Sequence, residues 1–131
     1  MSAAGYSGTP LAKKLGFKAG MEVVLLGAPE GFEVPEDVVV SARLGPGKDM
    51  VIAFVRERAV LAERVAALRK AIAPDGMVWV AWPKKASKVP TDVTEDVVRE
   101  VVLPTGLVDV KVCAIDDVWS GLKLVIRKEL R

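Results

Sequence analysis

The spacing of apolar positions changes period along this chain. Met21-Glu-Val-Val-Leu-Leu26, Val38-Val-Val-Ser-Ala-Arg43 and Met50-Val-Ile-Ala-Phe-Val55 are short, nearly continuous apolar runs. Such runs, set between glycines and prolines, predict strands covered on both faces. Residues 57–72 switch to helical spacing. Leu61, Val65, Leu68 and Ile72 form one stripe, with Glu63, Arg64, Arg69 and Lys70 off it. Pro74-Asp75-Gly76 predicts a turn out of that helix, and Met77 to Trp82 returns to the strand pattern. Beyond a basic loop at 83–91, Asp92 and Glu95 have the spacing of a capping box. They predict a second helix to about Leu103, buried through Val97, Val98, Val101 and Val102. Val108 to Ile115 and Leu122 to Lys128 predict a closing antiparallel pair. Near the start, Thr9-Pro10-Leu-Ala-Lys-Lys-Leu15-Gly16 reads as a short helix, capped by Thr9 and stopped by a left-handed Gly16. Residues 1–8 are small and flexible and are expected to lie loosely on the surface.

This order predicts the α/β class: one Rossmann-like three-layer domain over 9–131. About six strands form a mixed sheet with a C-terminal antiparallel hairpin. The third and fourth strands and the helix between them make a βαβ unit. The connections around the second strand look short for a parallel crossover, which needs about a dozen residues. That strand is therefore expected to run antiparallel at an edge, with a parallel strand and a compressed loop as the alternative.

Composition narrows the chemistry. The 131 residues suit one domain, and 51% hydrophobic content supports a packed core. The net charge of +2, from 19 basic and 17 acidic residues, makes nucleic acid an unlikely partner. Histidine is absent, which removes the commonest general base and metal ligand and excludes the familiar serine or cysteine triads. Cys113 is the only cysteine, so no intrachain disulfide or cysteine zinc site is expected, and it reads as a small apolar strand residue. No apolar run is long enough to span a membrane, and Met1 to Tyr6 does not read as a secretory signal, so a cytoplasmic location is expected.

Open α/β sheets bind ligands outside the carboxyl ends of their parallel strands. That rule gathers Glu30, Arg56, Trp82, Lys84, Lys85, Lys88, Asp116 and Trp119 at one edge. The lysines can hold a phosphate or carboxylate beside the helix opening at Asp92, and Trp82 or Trp119 can stack on a ring. In the plainer alternative the lysines are solvated or pair with Asp116 and Asp117, and the tryptophans plug the edge. Trp79 faces away from Trp82 and belongs in the core. Gly45-Pro-Gly-Lys48 lacks the spacing of a phosphate loop and is read as a turn.

The layout resembles a reduced class I S-adenosylmethionine-dependent methyltransferase. Leu68-Arg-Lys-Ala-Ile-Ala-Pro-Asp-Gly76-Met-Val-Trp-Val resembles that family's segment of a leucine, then proline-glycine-glycine, then a strand. Leu15-Gly-Phe-Lys-Ala-Gly-Met-Glu-Val-Val-Leu-Leu-Gly27 is similar to its entry into the cofactor loop. Gly27 and Gly31 match that loop, whereas Leu25 stands where the family has an acid and Pro29 where it has a middle glycine. The second strand ends in Arg43-Leu44, with no acid for a ribose. No cofactor is therefore expected, with S-adenosylmethionine disfavoured by Leu25 and Pro29. Gly5-Tyr-Ser-Gly-Thr-Pro-Leu-Ala-Lys-Lys-Leu-Gly16 and Trp82-Pro-Lys-Lys85 also resemble a family of short, uncharacterised bacterial proteins, a domain of unknown function that implies no activity. The resulting expectation is a non-catalytic binding or regulatory module. It would take a protein partner or a small anionic ligand at the sheet edge, with no catalytic or metal-binding residue assigned. The alternative is a methyltransferase-like or nucleotide-dependent enzyme with an atypical loop.

Overall fold

A computed structural model describes residues 10–131. Thr9 and residues 1–8 lie outside the described residues. Glu22–Leu26 (β1), Val39–Ser41 (β2), Lys48–Phe54 (β3) and Ile72–Pro83 (β4) are joined as parallel neighbours in the sheet. Leu107–Ala114 (β5) pairs antiparallel with Trp119–Ile126 (β6), which itself lies antiparallel to β4. The order across the six-stranded sheet is β2-β1-β3-β4-β6-β5.

Alternation along β3 and β4 divides the core into two layers. Val51, Ala53, Val78, Val80 and Trp82 face the helices Arg58–Ala71 (α2) and Glu95–Val102 (α3), packing with Leu61, Val65, Leu68, Val98 and Val102. Met50, Ile52, Phe54 and Trp79 face the short helix Leu11–Leu15 (α1) and the β1–β2 loop, packing with Leu15, Phe32 and Val38. Both faces of the central strands are covered, which is why their sequences read as continuous apolar runs. Trp79 and Trp82 occupy opposite layers, as their spacing predicts.

β2 corrects the expected topology, because it runs parallel to β1, with Glu22 opposite Val39. Residues 27–38 between them number twelve, which is already a sufficient crossover. The return is short because β2 has only three residues. Residues 42–47 cross on the α2 side, where Leu44 joins the core and Pro46 lies by Ala67 and Ala71. Polar contacts at the amino end fix this small strand. Lys48 Nζ and the Ser41 hydroxyl donate to the same Glu22 oxygen at 2.7 and 3.0 Å, and the Glu22 amide donates to Asp49 at 2.8 Å. Pro46 and Gly47 form a turn as expected, and Lys48, which opens β3, is committed to an ion pair.

Two local expectations also change. Pro74–Gly76 does not turn the chain but lies within β4, across a register shift against β3. Gly76 is needed there, since a Cβ would stand 2.8 Å from the Lys48 carbonyl oxygen. The second helix is capped by Thr94, whose hydroxyl accepts the Val97 amide at 3.2 Å. Asp92 instead accepts the Arg58 amide at 2.7 Å and caps α2, a long-range contact that helical spacing alone cannot reveal.

Candidate functional site

The carboxyl end of β1 turns sharply at Gly27, which has φ 68°. A Cβ at this position would lie 2.9 Å from the Phe54 carbonyl oxygen, so only glycine lets the loop pass so close to the end of β3. The Phe32 amide donates to the Pro29 carbonyl at 3.1 Å, and Gly31, at φ 87°, has no atom within 4 Å of its missing Cβ. Phe32 then returns to the core and meets Phe54 edge-on at 5.1 Å; Phe54 meets Trp119 in the same way at 5.1 Å. This row of rings joins the loop, β3 and the β5–β6 hairpin.

Beside the row, between α1 and the 29–35 loop, lies a cleft of ≈ 610 Å³. Leu11, Leu15, Phe17, Phe32, Val34 and Ile115 form its apolar wall, and Glu30, Glu33 and Asp116 supply its carboxylates. α1 is too short to stand alone. It is held by burial of Leu15 and by the Trp79 indole N–H, which donates to the Leu15 carbonyl at 2.9 Å.

Of the residues singled out from sequence, Glu30 and Asp116 are brought together in this cleft. Asp116 is also engaged locally, where one carboxylate oxygen accepts the Val118 and Trp119 amides at 2.8 and 2.7 Å and shapes the hairpin turn. Arg56 lies with its guanidinium carbon 6.0 Å from the Trp119 ring centroid. Its carbonyl accepts the Thr91 hydroxyl at 2.6 Å, which pins the segment before α3 to the end of β3. Trp82 and Trp119 are corrected as open stacking platforms, because each is only 6% exposed. Trp82 is directed into the α2–α3 layer and Trp119 into the aromatic row.

Lys84, Lys85 and Lys88 sit apart from the cleft on a 3₁₀ turn, Lys85–Ser87, which the Lys84 amide ties to the Val118 carbonyl at 2.6 Å. Among the described residues no ion pair joins them to Asp116 or Asp117. The α3 amino end expected beside them begins at Glu95 instead. Burial pushes the Cys113 thiol above its ordinary value, so it is a poor nucleophile. Among the described residues no group of three acidic or thiol ligands could hold a metal, and no helix is long and apolar enough to cross a membrane.

The site residues that sequence reasoning missed are Phe32, Glu33 and the α1 side chains. The available signal was a phenylalanine inside an otherwise polar, glycine-flanked loop. Such a residue needs an apolar partner, and here it closes the cleft floor.

No family model matches the chain, and no curated protein is similar to it. Its fold has many solved counterparts. It is similar to a SAM-dependent methyltransferase from Aquifex aeolicus (16% identity, 87% of this chain and 86% of that one, TM-score 0.64). It is also similar to the Burkholderia thailandensis 1,6-didemethyltoxoflavin-N1-methyltransferase with bound S-adenosylhomocysteine (13%, 90% and 75%, TM-score 0.62). A third is magnesium protoporphyrin IX methyltransferase from Synechocystis PCC 6803 with bound SAH (12%, 84% and 75%, TM-score 0.57). At these identities the likeness establishes the fold, a reduced methyltransferase-like sheet. It also overturns the expectation of no cofactor drawn from Leu25 and Pro29. One of these structures is a SAM-dependent methyltransferase, and the other two are methyltransferases with S-adenosylhomocysteine bound. The physical weakness of that expectation is visible in the loop. Its close approach to the sheet is set by Gly27 and its opening by Gly31, and both survive with Pro29 between them.

Proposed function

We propose that this chain binds S-adenosylmethionine over the Gly27–Gly31 turn and is a small methyltransferase. The observation that carries this reading is the turn itself. Two left-handed glycines follow the first strand of a methyltransferase-like sheet and stand beside a cleft open at the carboxyl edge. Gly27 keeps the loop against the end of β3, and Gly31 leaves bare backbone where a ligand can approach. The acid absent from the ends of β1 and β2 is not replaced on those strands, and the carboxylates near the turn are Glu30 and Glu33.

Bound there, the sulfonium would supply an electrophilic methyl group. The chain's own contribution is positioning and proton acceptance. The apolar cleft wall can seat the apolar part of an acceptor, and Glu30 or the second oxygen of Asp116 can take a proton, a role that falls to carboxylates in a chain without histidine.

Thermal unfolding and calorimetric titration with S-adenosylmethionine and S-adenosylhomocysteine test the reading. At ~100 times its dissociation constant a ligand of the native state adds about 2.7 kcal/mol, a rise of roughly 10 °C for a domain of this size. If neither molecule shifts the transition nor gives a binding isotherm at millimolar concentration, the reading is wrong. A second reading, an anion-binding module, is supported by the absence of ion pairs to Lys84, Lys85 and Lys88 among the described residues. Lys84→Ala with Lys85→Ala should then weaken an anionic ligand, and unchanged affinity would remove that loop from the site.

A further inference from the structure

We propose that the cleft between α1 and the 29–35 loop is the seat of an amphipathic cation: an amine or protonated nitrogen base on an apolar or aromatic body. Its role as methyl acceptor rests on the function proposed above; its preference for a cation does not. The volume of ≈ 610 Å³ is that of a small-molecule site. The wall is apolar, so the body of the ligand must be apolar too. Among the described residues its charged side chains are Glu30, Glu33 and Asp116, and no lysine or arginine lines it. This is a local reversal in a chain of net charge +2.

Among the described residues the carboxylates are not consumed by internal pairing. Neither Glu30 nor Glu33 has a hydrogen-bonding or ion-pairing partner among the described residues, and Asp116 uses only one oxygen for its turn. Three carboxylates spaced along the rim of an apolar wall repel a carboxylate ligand and attract an ammonium group. A phosphate or acidic metabolite of the same size is therefore disfavoured here.

In the transfer, the acceptor nitrogen enters protonated and gives its proton to a rim carboxylate or water, baring its lone pair. With the sulfonium bound, the nitrogen–carbon bond would form as the carbon–sulfur bond broke, with that electron pair left on sulfur. The turn and the cleft share Pro29, Glu30 and Gly31, so acceptor and methyl donor would meet across that stretch.

The test uses the full chain without S-adenosylmethionine and two probes with one indole body, tryptamine and indole-3-propionate, followed by amide shifts of Leu15, Phe32 and Ile115. Tryptamine should bind at least about tenfold tighter than the propionate. Glu30→Gln with Glu33→Gln should erase most of that preference, and raising salt from 0.05 to 0.5 M should weaken tryptamine in the parent. Equal affinities, preference for the propionate, or an unchanged preference in the double variant would overturn the cation site. A final arm repeats the tryptamine titration with saturating S-adenosylmethionine. Unchanged or tighter binding supports the acceptor role. Competition would mean that the cleft is the cofactor's own seat and would overturn that role. If S-adenosylmethionine does not bind while tryptamine does, the methyltransferase reading fails and the cation site stands.

Discussion

Replacing Trp79 by phenylalanine should loosen α1 before it unfolds the domain. The indole N–H donates to the Leu15 carbonyl at 2.9 Å, and both residues are essentially fully buried. Phenylalanine cannot donate, so the carbonyl is left unpaired away from water at a cost of about 1–3 kcal/mol. The missing ring atoms leave a void of about one or two methyl groups, adding about 1–2 kcal/mol. The sum, about 2–5 kcal/mol, is a large part of a typical domain stability of about 5–15 kcal/mol. Urea unfolding measures the total. Hydrogen exchange locates it, because Gly16 and Phe17 donate to α1 carbonyls and report whether the helix end is closed. Their protection should fall more than that of Val51 or Val80 in the central strands. The cleft should suffer as well, since Leu11, Ala12 and Leu15 form one of its walls. Equal loss of protection in α1 and in β3 would refute the reasoning. It would mean that α1 has no opening of its own and is held by the packing of Leu15 rather than by the indole bond.

Three further outcomes are expected. Gly27→Ala should destabilise by about 1–3 kcal/mol, from a left-handed backbone and overlap with the Phe54 carbonyl, while Gly31→Ala, which meets no neighbour, should cost about 1 kcal/mol; equal costs in urea unfolding would argue against the close approach at β3. The hydrogen bond from Lys48 holds the Glu22 carboxyl below its ordinary value, and that from Arg99 does the same for Asp109. Their folded values lie below the unfolded ones, so their stabilisation is present above the ordinary carboxylate range and disappears as pH falls through the depressed values. Glu22→Gln with Asp109→Asn should therefore flatten the fall of the urea midpoint between about pH 5 and 2, and an unchanged slope would contradict the assignment. Lys111 and Lys123 are direct cross-strand partners, and burial first, then Lys111 and Lys18, hold the Lys123 ammonium below its ordinary value. Lys111→Glu should stabilise by about 0.5–1 kcal/mol at low salt, less at high salt; no gain would show that the two side chains diverge.

The fold was legible where one segment decides its own state. The α2 stripe Leu61, Val65 and Leu68 is buried as its spacing predicts, and the central strands carry the apolar runs that two covered faces require. Contacts between distant segments were not legible. Asp92 has the local spacing of a cap for its own helix, yet it caps α2, 34 residues earlier in the chain. Pro74-Asp75-Gly76 has turn composition, yet close packing of Gly76 on the Lys48 carbonyl makes it extended. The direction of β2 depended on how far the chain must return, and that distance is small only because the strand ends after Ser41.

The site followed the same division. Strand ends can be placed at one edge from topology alone, and Glu30 and Asp116, grouped in that way, both line the cleft. Topology does not say which way an edge side chain points. Trp82, one residue from the last of β4, continues the alternation of that strand into the α2–α3 layer, so proximity to the edge gave it no access. The Gly27–Gly31 turn shows the opposite error. Counting matches to a motif weighted Leu25 and Pro29 as heavily as Gly27 and Gly31, but the backbone does not. Leu25 lies against the α1-side core and takes no part in the turn, whereas Gly27 alone removes a 2.9 Å collision with β3. A glycine whose missing Cβ would strike backbone is therefore the stronger indicator of the loop's path than an unmatched side chain beside it.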